Sequence, residues 1–246
     1  MTIAITEKQK DILVKLRADL RLNGFAADIE NQYENLAVYA GLSFEDRLLS
    51  CIEKQIQSDK ERKCANLVKR AKFKDKLRLS DLTRTSEYGL SKAVLASLAS
   101  LQWVTKCCNI IISGSCGVGK TGLANALGYN CCTNGISVRC YRTSDLLLEM
   151  SAKQGMEKIR FMKNLLRYQV LILDDFGIAP INSEETQDLF NLLDDRYKVA
   201  PVIVATQLKK EGLSIFLGND TKAEAAADRL LHPSMNIELK GPSRRN

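Results

Sequence analysis

The sequence predicts an α/β domain, a parallel sheet flanked by helices, behind a small all-helical N-terminal domain. Three observations predict it. From about Ser91 onward, short apolar runs alternate with helical patterns, the rhythm of βαβ units. One of those runs closes on a glycine-rich loop that opens a helix. Residues 1–75, in contrast, read as helical, with apolar residues at helical spacing.

Within residues 11–22, Ile12, Leu13, Leu16 and Leu20 form a helical stripe, which Asn23-Gly24 stops. Ser43-Phe44-Glu45-Asp46 has capping-box form ahead of Leu48, Leu49 and Ile52, so a second long helix starts there. It runs into a basic stretch, Lys60, Arg62, Lys63, Lys69, Arg70, Lys72, Lys74 and Lys76, opposed only by Glu61 and Asp75. A linker is expected over 77–90, which separates a helical domain at 1–76 from a second domain at 91–246. The second domain reads as helix 91–103, strand 109–113, helix 120–133 and strand 136–141. A helix capped by Ser144, a helix over 157–166 and a buried strand at 170–173 follow. The rest is helix 183–197, strand 202–205, a loop, helix 222–231 and a last strand at 236–239.

At 246 residues the chain has room for one large domain and a small one. With 45% hydrophobic and 26% charged residues it is an ordinary globular composition, and four prolines argue against long disordered stretches. The net charge of +7 suits a polyanionic partner without requiring one. The first residues lack a signal pattern and no window reaches membrane-span length, so the chain is expected to be cytoplasmic with no membrane partner. Its eight cysteines include no C-x-x-C, which reads as reduced, mostly buried thiols. A lone histidine, His232, excludes a catalytic His pair.

The chemistry is concentrated in three places. Gly114-Ser115-Cys116-Gly117-Val118-Gly119-Lys120-Thr121, continued by Gly122, is a full G-x-x-x-x-G-K-T phosphate loop (Walker A) between a strand and a helix. Glycines let backbone N–H groups turn inward around phosphates, where a side chain would clash. Lys120 is placed to reach the β- and γ-phosphates, Thr121 to offer a hydroxyl to Mg²⁺, and the helix N-terminus to face the anion. The apolar strand ending in Asp174-Asp175 is the matching Walker B: Asp174 for Mg²⁺, Asp175 to polarise the attacking water. The same two carboxylates also suit a plain turn before Phe176-Gly177.

Gln207, after the next strand, occupies a position from which an amide senses the γ-phosphate, or is simply loop polarity. Arg229 suits either a finger onto a neighbouring subunit's γ-phosphate or a surface pair with Asp228 or Glu224. Arg244 and Arg245 suit phosphate contact or a solvated tail. The basic run Lys60, Arg62, Lys63, Lys69, Arg70, Lys72 and Lys74 suits a DNA backbone or a solvated helix face, with Leu67, Val68 and Phe73 as core residues between the charges.

Together these residues resemble the IstB-like transposition helper ATPases, relatives of the DnaC-type helicase loaders. The resemblance is carried by Leu42-Ser-Phe-Glu-Asp-Arg-Leu48, by Arg70-Ala-Lys-Phe73 and by the phosphate loop with its helix. Leu171-Ile-Leu-Asp-Asp-Phe-Gly177, Asp228-Arg-Leu-Leu-His232 and Ile237-Glu-Leu-Lys-Gly241 complete it. It implies an AAA+ fold, ATP and Mg²⁺ as cofactors, homo-oligomerisation on double-stranded DNA, and a transposase as partner. By position it implies Lys120 and Thr121 at the nucleotide, Asp174 and Asp175 at Mg²⁺ and water, and Gln207 as the first sensor. It also implies Arg229 as the arginine finger in trans and Arg245 as the second sensor, with Arg244 its rival. Asp175 stands where many relatives carry Glu, Gln207 where they carry Asn, and Pro242 where an acid is usual. Two other functions fit the residues: a helicase loader that prefers single strands, and an adaptor ordered by ATP without hydrolysing it.

Overall fold

A computed structural model describes residues 5–82, 89–218 and 221–243. Contacts divide the chain into two compact units, 1–66 and 67–246. The division falls inside a helix, upstream of the boundary expected at 76.

The first unit is helical. It contains α1 (Glu7–Ala18), α2 (Asn23–Glu34), α3 (Leu36–Tyr39) and most of α4 (Phe44–Ala71). Thr6 caps α1 through a capping box with Gln9. Helix α1 ends already at Ala18, and Asn23-Gly24, expected to stop it, instead opens α2. Gln55 Oε1 accepts the backbone N–H groups of Gly24 (3.0 Å) and Phe25 (3.2 Å), a cap supplied from α4. A Cβ at Gly24 would stand 2.4 Å from the Lys54 carbonyl oxygen, so only glycine permits that approach. Ser43 caps α4 as expected: its Oγ accepts from Asp46 N at 3.1 Å.

The second unit is a five-stranded sheet in the order β2-β3-β4-β1-β5, every adjacent pair parallel. Its strands are β1 (Asn109–Gly114), β2 (Val138–Arg142), β3 (Val170–Phe176), β4 (Val202–Thr206) and β5 (Ser234–Leu239). Its helices are α5 (Lys92–Ala99), α6 (Gln102–Thr105), α7 (Lys120–Thr133), α8 (Thr143–Ser151) and α9 (Gly155–Leu165). After these come α10 (Ser183–Arg196), α11 (Lys210–Leu217) and α12 (Thr221–Leu231). Both faces of the sheet are covered, and side chains alternate between the two cores. Ile111, Leu171, Leu173, Val202 and Val204 enter the core with α8 and α10. Ile110, Ile112, Val170, Ile172 and Ile203 enter the core with α7. Burying each such side chain is worth about 1.5–3 kcal/mol, which makes this two-faced burial the main force on the sheet.

Several expected elements shift. The helix expected over 91–103 breaks at Leu101, whose φ is +59°, into α5 and α6. The helix assigned to a Ser144 cap begins at Thr143 instead. Helix α10, by contrast, opens at Ser183 as expected, and Asn182 caps it. Residues 210–217, read as loop, form α11 and bury Leu213 and Leu217. Among the described residues no helix is long and apolar enough to cross a membrane.

Candidate nucleotide-binding site

Strand β1 leads into the phosphate loop and α7 leads out of it. Gly114, Gly117 and Gly119 have φ of +149°, +78° and +105°, values that L side chains resist. Space adds a second demand. A Cβ on Gly114 would stand 2.4 Å from the Leu239 carbonyl oxygen, and one on Gly117 2.2 Å from Ser243 Oγ. The segment after β5 therefore packs directly against the loop. No side chain caps α7, whose first turn begins at Lys120. Lys120 Nζ donates to the carbonyls of Gly114 (2.9 Å) and Ser115 (2.7 Å), folding its charge over the loop. Val118 is buried as the loop's anchor, while Ser115 and Cys116 face outward.

The acid pair sits at a bulge. Leu173 pairs with Val204 and Phe176 with Thr206, so Asp174 and Asp175 together oppose Ala205 alone. Asp175 takes a φ of +54°, unusual for a residue with a Cβ. The bulge turns the two carboxylates to different partners. Asp174 Oδ1 accepts the Thr121 hydroxyl at 2.9 Å, closing Walker A onto Walker B. Asp175 Oδ2 lies 3.1 Å from Arg142 Nε. Burial pushes the Asp174 carboxyl above its ordinary pKa, and the charge of Asp175 adds to the rise, while the Thr121 bond and the charge of Lys74 oppose it.

Three residues at this site escaped the sequence reading. Arg142 ends β2, in register with Asp174, and Thr143 Oγ1 donates to the Asp174 carbonyl at 2.9 Å. The only signal for them was their place at the end of a strand next to Walker B, which requires the strand order to be known. Thr206 is the third: buried, it donates to the Phe176 carbonyl at 2.7 Å and accepts from Leu208 N at 3.0 Å. It fixes the end of β4 to the Walker B loop, and exposed Gln207 follows it directly. Since β4 lies between β1 and β3, Gln207 emerges between the phosphate loop and the acid pair.

Arg229 is not brought to this site. Its carbonyl accepts from Asn109 Nδ2 at 3.0 Å, at the start of β1, whereas the phosphate loop follows the end of that strand. Its guanidinium pairs with Asp194 and Asp228. Arg244 and Arg245 lie outside the described residues.

The basic residues divide between the two units. Lys60, Arg62 and Lys63 are exposed on α4 in the first, and Arg62 pairs with Asp59 at 2.7 Å. Lys69, Arg70, Lys72 and Lys74 are exposed in the second. Among them run apolar anchors: Ala71 is fully buried, and Leu67, Val68 and Phe73 pack on the α7 core, as expected. Lys72, at φ +58°, ends α4. The chain then follows α7, with Phe73 against Gly128 and Leu77 against Gly122. Lys74, on this segment, is the lysine whose charge Asp174 feels.

Comparison with known proteins agrees with this geometry. The family model for IstB-like ATP binding proteins matches residues 15–246. An insertion sequence ATP-binding protein of Sinorhizobium fredii is 36% identical over 188 residues, 76% of this chain and 77% of that protein. The insertion sequence IS21 ATP-binding protein of Pseudomonas aeruginosa is 30% identical over 231 residues, 94% of this chain and 87% of that one. Among solved structures, DnaI aligns with a TM-score of 0.56 at 20% identity, covering 73% of this chain and 93% of DnaI. AMPPCP-bound DnaA from Aquifex aeolicus also aligns at 0.56, with 17% identity, over 69% of this chain and 51% of that one. These two likenesses show the fold, that of the AAA+ P-loop proteins. With its phosphate loop, acid pair and parallel sheet accounted for, the chain belongs to the IstB-like ATP-binding proteins of insertion sequences.

Proposed function

We propose that the chain is an ATPase that assembles with copies of itself on double-stranded DNA and serves the transposase of its insertion sequence. The observation that carries the ATPase reading is the Thr121–Asp174 bond, 2.9 Å long, with Asp175 beside it at the exit of a parallel sheet. Family membership supports the DNA and transposase roles.

A hydroxyl and a carboxylate are hard oxygen donors, the partial ligand set that Mg²⁺ uses when phosphates and water supply the rest. Thr121 and Asp174 would hold Mg²⁺, which supplies neutralisation of phosphate charge. Backbone N–H groups of the loop 114–119 and the Lys120 amine would hold the phosphates. Asp175 would take the role of orienting and polarising water, for which its carboxylate must part from Arg142. Gln207 would sense the γ-phosphate, Arg229 would act on a neighbour's nucleotide, and Arg245 would be the second nucleotide-contacting arginine. Lys60, Arg62, Lys63, Lys69, Arg70, Lys72 and Lys74 would meet the DNA backbone.

The test is light scattering after size exclusion, with ATP and Mg²⁺, on duplex and single-stranded DNA, with Lys120→Ala as control. Assembly on duplex that the variant loses is the expected result. A preference for single strands would favour a helicase loader, and the absence of any DNA complex would overturn the DNA reading. Turnover is measured alongside: Asp175→Asn should abolish it, and full activity in that variant would remove Asp175 from the chemistry.

A further inference from the structure

Arg229 is held in place more firmly than a surface arginine requires. Its backbone is fixed first. Asn109 Nδ2 donates to the carbonyls of Arg229 (3.0 Å) and Leu230 (2.9 Å), while Asn109 Oδ1 accepts Val202 N at 2.8 Å. One buried asparagine thus joins the end of α12 to the starts of β1 and β4. Five residue steps of strand β1, about 17 Å, separate Asn109 from Gly114, so the arginine's own phosphate loop lies at the far end of the strand.

The guanidinium is fixed next. Its Nε lies 2.8 Å from Asp194 Oδ1 and its Nη1 3.2 Å from Asp228 Oδ2. Its Cζ stands 4.6 Å from the ring centroid of Tyr197, a cation–π contact. Asp228 belongs to the same helix and moves with the arginine. Asp194 and Tyr197 come from the end of α10 and tie the side chain to a second helix. The remaining nitrogen, Nη2, makes no hydrogen bond among the described residues.

We infer that Asp194 and Tyr197 are positioning residues, a bracket that sets the rotamer of Arg229 so that its free edge faces the nucleotide of a neighbouring copy. The inference rests on the reading of Arg229 as a finger in trans, and it adds the residues that make that finger ready before the subunits meet. An arginine that must act at a transition state gains from having its orientation fixed in advance. An acid and a ring restrain a guanidinium differently: the acid fixes the direction of its Nε edge, the ring fixes its plane. A pair whose only role is to join α10 to α12 would leave turnover unchanged when its charge is removed.

The test uses the full chain with duplex DNA, Mg²⁺ and saturating ATP. Asp194→Asn and Tyr197→Leu should lower kcat about 10- to 100-fold with little change in KM, since a displaced catalytic group loses rate on that scale. Tyr197→Phe, which keeps the ring, should remain near wild type. The decisive arm mixes subunits. Asp194→Asn has an intact acid pair and Asp175→Asn an intact phosphate loop and arginine, so mixing the two should raise turnover above what either shows alone. Arg229→Ala mixed with Asp175→Asn is the parallel control. If Arg229→Ala is complemented but Asp194→Asn and Tyr197→Leu turn over normally, the bracket is overturned and the finger stands. The bracket also fails if Asp194→Asn is slow but cannot be complemented, since the acid then acts within its own subunit. If Arg229→Ala is fully active, or the wild-type chain has no turnover, the finger reading falls and the bracket with it. Melting curves identify any variant that has lost its fold, and Tyr197→Leu then carries the test independently of Asp194→Asn.

Discussion

Asp174 is held where its own charge is opposed. Its folded pKa lies above the ordinary carboxylate value because burial disfavours the ionised form, more than the Thr121 bond favours it. The consequence for stability has a definite sign. Below the ordinary range, near pH 4, the carboxyl is protonated in both folded and unfolded chains and costs nothing. As pH rises through the raised folded value, the unfolded chain releases its proton more readily, and stability is lost. Asp174→Asn, which keeps an acceptor for Thr121, should therefore raise the melting temperature at neutral pH, and the gain should shrink as the pH is lowered. A variant whose melting temperature is lower than wild type at neutral pH would show that the Thr121–carboxylate bond outweighs burial. At this scale the phosphate loop and the acid pair were legible, because each needs fixed residue types at fixed spacing. Arg142, Thr143 and Ser243 were not, since they meet the site through strand order and chain return, which no local pattern encodes.

Elements read well where one force dominated them. Helix α7 spans Lys120–Thr133 as expected, and all five strands begin within two residues of expectation; β1, β3 and β4 carry uninterrupted apolar runs buried on both faces, whereas β2 and β5 mix polar with apolar residues and are only partly buried. Helix α11 was hidden by Gly212 and by its length of 8 residues, and it exists because Leu213 and Leu217 bury in the core beside α12. The break at Leu101 has no local cue, since leucine has no preference for a positive φ. Gly128 shows the opposite case, a poor helix residue that packing demands. A methyl group there would stand 2.6 Å from Phe73 Cε1 and 2.7 Å from Ile172 Cδ1. Gly128→Ala gains about 1 kcal/mol of helix propensity but overpacks the contact by roughly 1–3 kcal/mol, so it should destabilise the chain by about 1 kcal/mol. The loss should be smaller in a Phe73→Ala background, as a urea-unfolding double-mutant cycle would measure. Equal losses in both backgrounds would mean that the ring yields freely.

For the whole molecule, the excess of 36 basic over 29 acidic residues gives the +7 charge that a duplex backbone would meet. If contact is with phosphates, affinity falls steeply with salt, and each cation removed lowers the slope of log K against log salt by about 1. Lys63→Ala, an exposed position on α4, should lower it by that amount and weaken binding equally on unrelated sequences. A flat salt dependence would rule out backbone contact by this charge.

The last turn of α4 gives the domain boundary a practical meaning. Ala71 and Phe73 belong to the helical stretch by sequence but seal the α7 core by packing. A chimaera that takes another relative's helical unit therefore has to be spliced upstream of Leu67. Joined at 77, the same chimaera would leave Gly128 and Ile172 open to water, and the ATPase unit would carry an unhealed seam.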